Sequence, residues 1–245
     1  RAGDAGDDDA RPGGAAGGGP RRLRRMGSST RSGEGRGTAR VRLLDAAVEV
    51  IREQGLHATT VDELCAAAGV TKGAFFHHFE SKEALAVAAA DHWSRTTGAM
   101  FADAAYHDEA DPLERVLGYL DLRASLIEGA PADFSCLAGT MVQEAFATSD
   151  AVRDACAASI FGHAATLEAD LADALALSDA SSSAPGDVTA ESLARHTQVV
   201  LQGAFVLSKA ADDPALVTAR IDHLRRYLLC VLRRPPAEDA QQVSA

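Results

Sequence analysis

Side chains able to recognise another molecule crowd into residues 59–82, TTVDELCAAAGVTKGAFFHHFESK. The stretch carries two lysines, Lys72 and Lys82, two adjacent histidines, His77 and His78, and the hydroxyls of Thr60 and Thr71. Cations and hydroxyls at such spacing suit hydrogen bonding to phosphates and base edges. Bond-making chemistry has no comparable foundation. The chain holds 8 histidines and 35 acidic residues, but no HExxH, no ExxH pair for a di-iron bundle, no GxSxG and no phosphate loop. Cys65, Cys136, Cys156 and Cys230 are far apart with no CxxC pair, which argues against a zinc site and suits reduced thiols in a cytoplasm. The expectation is a protein that is not an enzyme, with no catalytic residues, metal site or cofactor.

The elements that must position these side chains are legible around them. Thr60 with Glu63 three residues on forms a capping box, and Leu64, Ala67 and Ala68 give the helix that follows an apolar face. Gly69 suits the left-handed end of that helix, and Val70 is placed to plug the angle to the next one. Thr71 caps a second helix from Lys72 to about Phe79, with Phe75 and Phe79 on one face and Lys72, His77 and His78 on its surface. Two helices, a glycine turn and a polar second helix make a helix-turn-helix pattern. The supporting helix runs from Thr38 to Gln54, with a stripe at Val41, Leu44, Ala47, Val48 and Ile51 directed at Leu64, Phe75 and Phe79. Arg40 and Arg42 near its start are candidates for the DNA backbone.

TKGAFFHHFESKEAL, with the capped helix before it, resembles the DNA-binding domain of the tetracycline-repressor (TetR) family of bacterial transcription regulators. The resemblance covers about Ala39 to Leu85; beyond it only the helical layout is similar. It implies that Thr60, Thr71 and Lys82 hold phosphates, and that Lys72, Gly73, Ala74, His77 and His78 face bases or the sugar-phosphate edge. Phe76 departs from the family's usual tyrosine, whose hydroxyl contacts a phosphate, and leaves contact with a thymine methyl as its alternative. The alternative for His77 and His78 is that one of them packs on the first helix. The resemblance also implies a homodimer on a near-palindromic double-stranded DNA operator, and a repressor released when a small molecule binds its larger domain. The alternative of another class is a helical protein–protein adaptor of the same fold that has lost DNA binding.

Composition is consistent with a helical globular protein: 245 residues, 47% hydrophobic, 5% aromatic, rich in alanine. No apolar run is long enough to cross a membrane. No signal peptide is expected, since glycine and serine follow the basic run at residues 21–25. The net charge of −11 divides unevenly: −2 over residues 1–20, +4 over residues 21–82 and −13 over residues 83–245. Positive charge thus accompanies the motif and its leading arm, while the acidic remainder is repelled by phosphate.

Four segments follow. Residues 1–37 read as a disordered arm, glycine-rich and then basic, within which Met26 is the first methionine and a candidate start. Residues 38–84 are the DNA-binding domain, 85–234 a helical ligand-binding and dimerisation domain, and 235–245 a disordered tail. In the larger domain, helices are expected from Ser81 to about Tyr106, from Pro112 to Gly129, from Leu137 to Thr148, and from Ser149 or Asp150 to about Leu177. A loop is expected at Ala130–Phe134 and a linker at residues 178–187. Two final helices run from Ala190 to about Ala211 and from Pro214 to about Arg233.

Trp93, Met100, Phe101, Tyr119, Arg123, Phe134, Cys136, Met141, Phe146 and Phe161 are candidates for an effector cavity. Arg123 is the one full charge on an apolar face, able to pair with an anionic ligand or, more plainly, with a carboxylate such as Glu144. Cys136 reads either as a sensing thiol or as a buried, inert one. Val200, Ala204, Leu207, Ile221, Leu224 and Leu228 mark the apolar faces of the last two helices, which either close this chain's own core or form a four-helix bundle with a second copy.

Overall fold

The computed structural model describes residues 38–178 and 188–232; the expectations for residues 1–37, 179–187 and 233–245 lie outside them. Among the described residues every regular element is a helix. They are α1 (Ala39–Gln54), α2 (Val61–Ala68), α3 (Lys72–His78), α4 (Lys82–Ala102), α5 (Pro112–Ser125), α6 (Pro131–Phe134), α7 (Leu137–Ala145), α8 (Asp150–Ala165), α9 (Glu168–Ala176), α10 (Ala190–Ala211) and α11 (Ala215–Val231), with a 3-10 turn at Ala105–Asp108 between α4 and α5.

The caps explain most boundaries. Thr38, Thr60, Thr71, Ser81, Ser149 and Thr189 each accept a hydrogen bond from a backbone N–H of the first turn they precede. Gly69 closes α2 in the left-handed conformation at φ 61°, where a Cβ is disfavoured. The α1 stripe is buried apart from Val41, which is 38% exposed beside the helix start.

Two apolar clusters form the core. The first joins α1, α2, α3 and the start of α4 to α7 and the start of α8, from Leu43 and Phe75 to Met141 and Cys156. The second joins Phe101 of α4 to α5, the end of α8, α9, α10 and α11. Helix α4 contributes Leu85, Ala86, Ala89 and Ala90 to one and Phe101 to the other, and α8 likewise supplies both.

Several expected boundaries move. The helix expected over 149–177 is two, α8 and α9, because the chain tightens at Thr166–Leu167, where the Thr166 hydroxyl donates to the His163 carbonyl at 2.8 Å. The loop expected at Ala130–Phe134 contains the single turn α6. Helix α4 stops at Ala102, α5 at Ser125 and α7 at Ala145, each short of its expected end.

Candidate functional site

Helices α2 and α3 meet across Gly69 and Val70. The Thr60 hydroxyl accepts from the Glu63 N–H at 3.2 Å, and the Glu63 carboxylate accepts from the Thr60 N–H at 2.8 Å. The bond from the Thr60 N–H foremost, and one that the Thr60 hydroxyl donates at 2.8 Å, hold the Glu63 carboxyl below its ordinary value. Thr71 caps α3 by accepting from the Ala74 N–H at 3.2 Å. Phe75 is fully buried and anchors α3 against α1 and α2. Opposite that anchor, Thr71, Lys72, Gly73, Phe76 and His77 are exposed, while Ala74 and His78 are half-buried on its flanks. Phe76 is 55% exposed, with its ring edge-on to Phe75 at 5.1 Å. A Cβ at Gly73 would meet only the Thr71 hydroxyl, at 3.8 Å, so the outer surface of α3 is flat at that point.

The expected cations have different surroundings. Lys72 sits 2.8 and 2.9 Å from the two Asp62 oxygens in an exposed pair, and these bonds raise its pKa. Arg40 lies exposed with its guanidinium 5.3 Å from the Phe79 ring centre. Two of the expected cations are bonded within the chain. Lys82 turns inward and donates to the carbonyls of Leu56, Thr59 and His57 at 2.8, 2.7 and 3.3 Å. Its ammonium protons fasten the α1–α2 connector to α4 instead of pointing outward. Arg42 donates to the Ala68 and Gly69 carbonyls at 3.1 and 3.2 Å, closing the end of α2.

The family model described as bacterial regulatory proteins, tetR family, matches residues 43–89, the segment that builds this two-helix unit and its supports.

Residues 43–89 are thus similar to the DNA-binding domain of the TetR family.

Among curated relatives, the HTH-type transcriptional repressor KstR2 of Rhodococcus jostii (strain RHA1) is 45% identical over 51 residues, which is 21% of this chain and 25% of that protein. The HTH-type transcriptional repressor DhaR of Mycobacterium sp. (strain GP1) is 32% identical over 118 residues, 46% of this chain and 56% of that protein. The matches thus span between a quarter and about half of these relatives. Beyond the TetR domain the likeness is one of fold. The regulatory protein TetR from Rhodobacter sphaeroides superposes with a TM-score of 0.67 at 22% identity, over 78% of this chain and 99% of that one. A TetR-family transcriptional regulator from Streptomyces coelicolor gives 0.64 at 24%, over 79% and 95%.

Beyond that segment the chain holds a cavity of about 160 Å³ between α4, α5, α8 and α10. Of the expected effector residues, Trp93, Arg123 and Cys136 line it, as do Phe101 and Phe134. Other expectations are corrected. Tyr119 is 1% exposed and lies under Arg123, not in the cavity wall. Met141 is fully buried in the first core, and Met100 packs on the second. Phe146 and Phe161 are 61% and 56% exposed, because each falls on the outer side of its turn. Arg123 pairs with no carboxylate among the described residues; Glu144 instead accepts from the His57 N–H at 2.7 Å. Cys136 caps α7, its sulfur accepting from the Gly139 N–H at 3.4 Å.

Sequence reasoning missed His163 and Gln198, which also line this cavity. Gln198 carried a signal, a polar residue among Leu193, Thr197 and Leu201 on the inward face of α10. A larger cleft of about 340 Å³ adjoins, where the end of α1 meets α7 and α10, and shares Cys136, Gln202 and Phe205 with the first. Its wall carries Glu53, Glu144 and Lys209.

The expected dimer residues also divide. Ala204, Ile221, Leu224 and Leu228 are at most 2% exposed because α10 and α11 turn their wide apolar faces to this chain's own second core. Val200 is half-buried and Leu207 is 52% exposed. The apolar residues left outward are Val199, Val206 and Leu207 on α10 and Tyr227 and Leu229 on α11. A Cβ at Gly203, between Val199 and Leu207, would meet nothing within 4 Å.

Proposed function

We propose that the chain is a homodimeric TetR-family repressor that binds a near-palindromic operator and leaves it when a small molecule enters the 160 Å³ cavity. The observation that carries this reading is the outer surface of α3, which presents Lys72, Gly73, Phe76 and His77 together while Phe75 fixes the helix from behind. An exposed helix of this kind in a helix-turn-helix enters the major groove. Arg40, Thr60 and Thr71 flank it for phosphate contacts, with Ala74 and His78 at its edges. Two relatives, KstR2 and DhaR, are themselves named HTH-type transcriptional repressors.

Two contacts offer a path between cavity and reading head. Trp93 lines the cavity on one side and meets the Arg52 guanidinium of α1 at 5.1 Å on the other. Lys209 of α10 donates to the Arg52 carbonyl at 2.9 Å and to the Thr140 hydroxyl at 3.1 Å. A ligand that favours one arrangement of α4 and α10 lowers DNA affinity by its difference in affinity for the two arrangements.

The test is binding of the purified chain to the DNA upstream of its own gene across a salt series. A Lys72→Ala, His77→Ala variant and a chain lacking residues 1–37 are run beside it. The expected result is binding that weakens steeply with salt, falls roughly tenfold or more in the double variant, and shows a shallower salt slope without the arginine-rich arm. Binding that the double variant retains, or that salt leaves unchanged, would remove α3 as the reading element. A genome-wide selection of bound DNA that yields no motif would favour the adaptor.

A further inference from the structure

Arg123 is the one charged side chain on the cavity wall, and its partners are neutral. Its Nε–H donates to the Tyr119 hydroxyl at 2.9 Å, and Nη2 donates to Nε2 of His163 at 2.6 Å. His163 is pushed down to about 3 by burial and by Arg123 itself, which keeps the ring neutral with Nε2 as the acceptor. A guanidinium has five N–H groups; these two contacts leave three, and no carboxylate among the described residues takes them. On the α10 side, Gln198 is 6% exposed and its amide nitrogen has no hydrogen-bond partner. A buried donor left unpaired is costly, and this one belongs to the cavity wall. The wall also carries four aromatic rings, Trp93, Phe101, Phe134 and Phe205, among small residues such as Ser94, Thr97 and Ala158. The volume of about 160 Å³ is close to the roughly 150 Å³ of an apolar cavity that accepts benzene.

We propose that this cavity binds a small aromatic monocarboxylate, the carboxylate held by Arg123 and the Gln198 amide and the ring lying against Trp93 and Phe134. A planar carboxylate matches the guanidinium fork, and its charge compensates a cation that the protein leaves without a counter-ion. The proposal rests on the effector reading for its consequence at DNA; the binding itself is measured separately.

The experiment is equilibrium dialysis of labelled benzoate against the full chain, with emission of Trp93, the only tryptophan, followed in parallel. The expected result is saturable binding of one benzoate per chain with a change in Trp93 emission. Benzamide, the uncharged isostere, should bind roughly tenfold or more weakly. Arg123→Gln should abolish the preference for benzoate, and Arg123→Lys should restore only part of it. Inorganic sulfate, which lacks a ring, should not displace benzoate at equal concentration. Should Arg123→Gln lose its helicity, Gln198→Leu replaces it, with benzoate affinity expected to fall roughly fivefold or more. Failure to saturate, equal binding of benzamide, benzoate affinity unchanged in a folded variant, or displacement by sulfate would each overturn the proposal. Operator binding without benzoate binding would remove this proposal and leave the regulator; benzoate binding without operator binding would do the reverse.

Discussion

His163 shows how one buried ring shapes both the cavity and the stability of the chain. Its ordinary value of 6.5 falls to about 3 in the folded protein, from burial first and Arg123 second. Between those values the unfolded chain takes up a proton that the folded chain refuses. This stability is therefore present above 6.5 and is lost as pH falls towards about 3. The melting temperature is expected to drop between pH 7.5 and pH 5, and to drop less in a His163→Gln variant, as followed by circular dichroism. Equal drops in the two proteins would count against the neutral ring. At this scale the sequence was informative only in part. Arg123 stood out as a full charge on an apolar helix face. His163 did not, and Gln198 showed only as a polar residue on an apolar face, because an unpaired amide or a depressed histidine is a property of its neighbours, and those come from helices far away in the chain.

At the scale of elements, Lys82 joins α4 to the connector between α1 and α2. Its three bonds to the Leu56, Thr59 and His57 carbonyls satisfy backbone acceptors that a loop leaves open. Lys82→Met keeps the aliphatic stem and removes the donors. The expected cost is about 1–3 kcal/mol in urea unfolding, whereas a lysine acting only on phosphate would leave stability unchanged and weaken DNA binding alone. The capped elements were the legible ones. Thr60 with Glu63 gave α2, and Thr189 with the apolar face from Leu193 to Ala211 gave α10 at the boundaries found. The break between α8 and α9 was hidden, since Thr166 and Leu167 are neither glycine nor proline. The turn α6 was hidden because four residues are too few to show a period.

For the whole molecule, the sequence carried the all-helical layout but not the allocation of its apolar faces. A helix with a wide apolar face reads the same whether it closes its own core or meets a second copy, and α10 and α11 do the former at Ala204, Ile221, Leu224 and Leu228. If the chain dimerises through these helices, contact falls to Val199, Val206 and Leu207 around Gly203, with Tyr227 beside them. A Val199→Glu, Leu207→Glu double variant should keep its helicity and sediment as a monomer where the parent sediments as a dimer. A variant that still dimerises would move the interface elsewhere. Charge is distributed on the same scale. Of the positive groups in residues 21–82, six arginines precede residue 38, and Lys72, Arg42 and Lys82 of the helical part are bonded within the chain.

The sharing of α4 and α8 between the two cores bears on modularity. A reading head cut out at residue 84 would leave behind Leu85, Ala86, Ala89 and Ala90, together with Met141 and Cys156 from helices far along the chain. Such a fragment would expose the apolar floor on which α1 and Phe75 rest, and would be a poor part to transplant onto another receptor body. A chimera that respects this architecture carries α4, α7 and the start of α8 with the head and replaces α5, α9, α10 and α11. Exchange of specificity in this protein is thus a matter of swapping packed layers, not of splicing at a point in the chain.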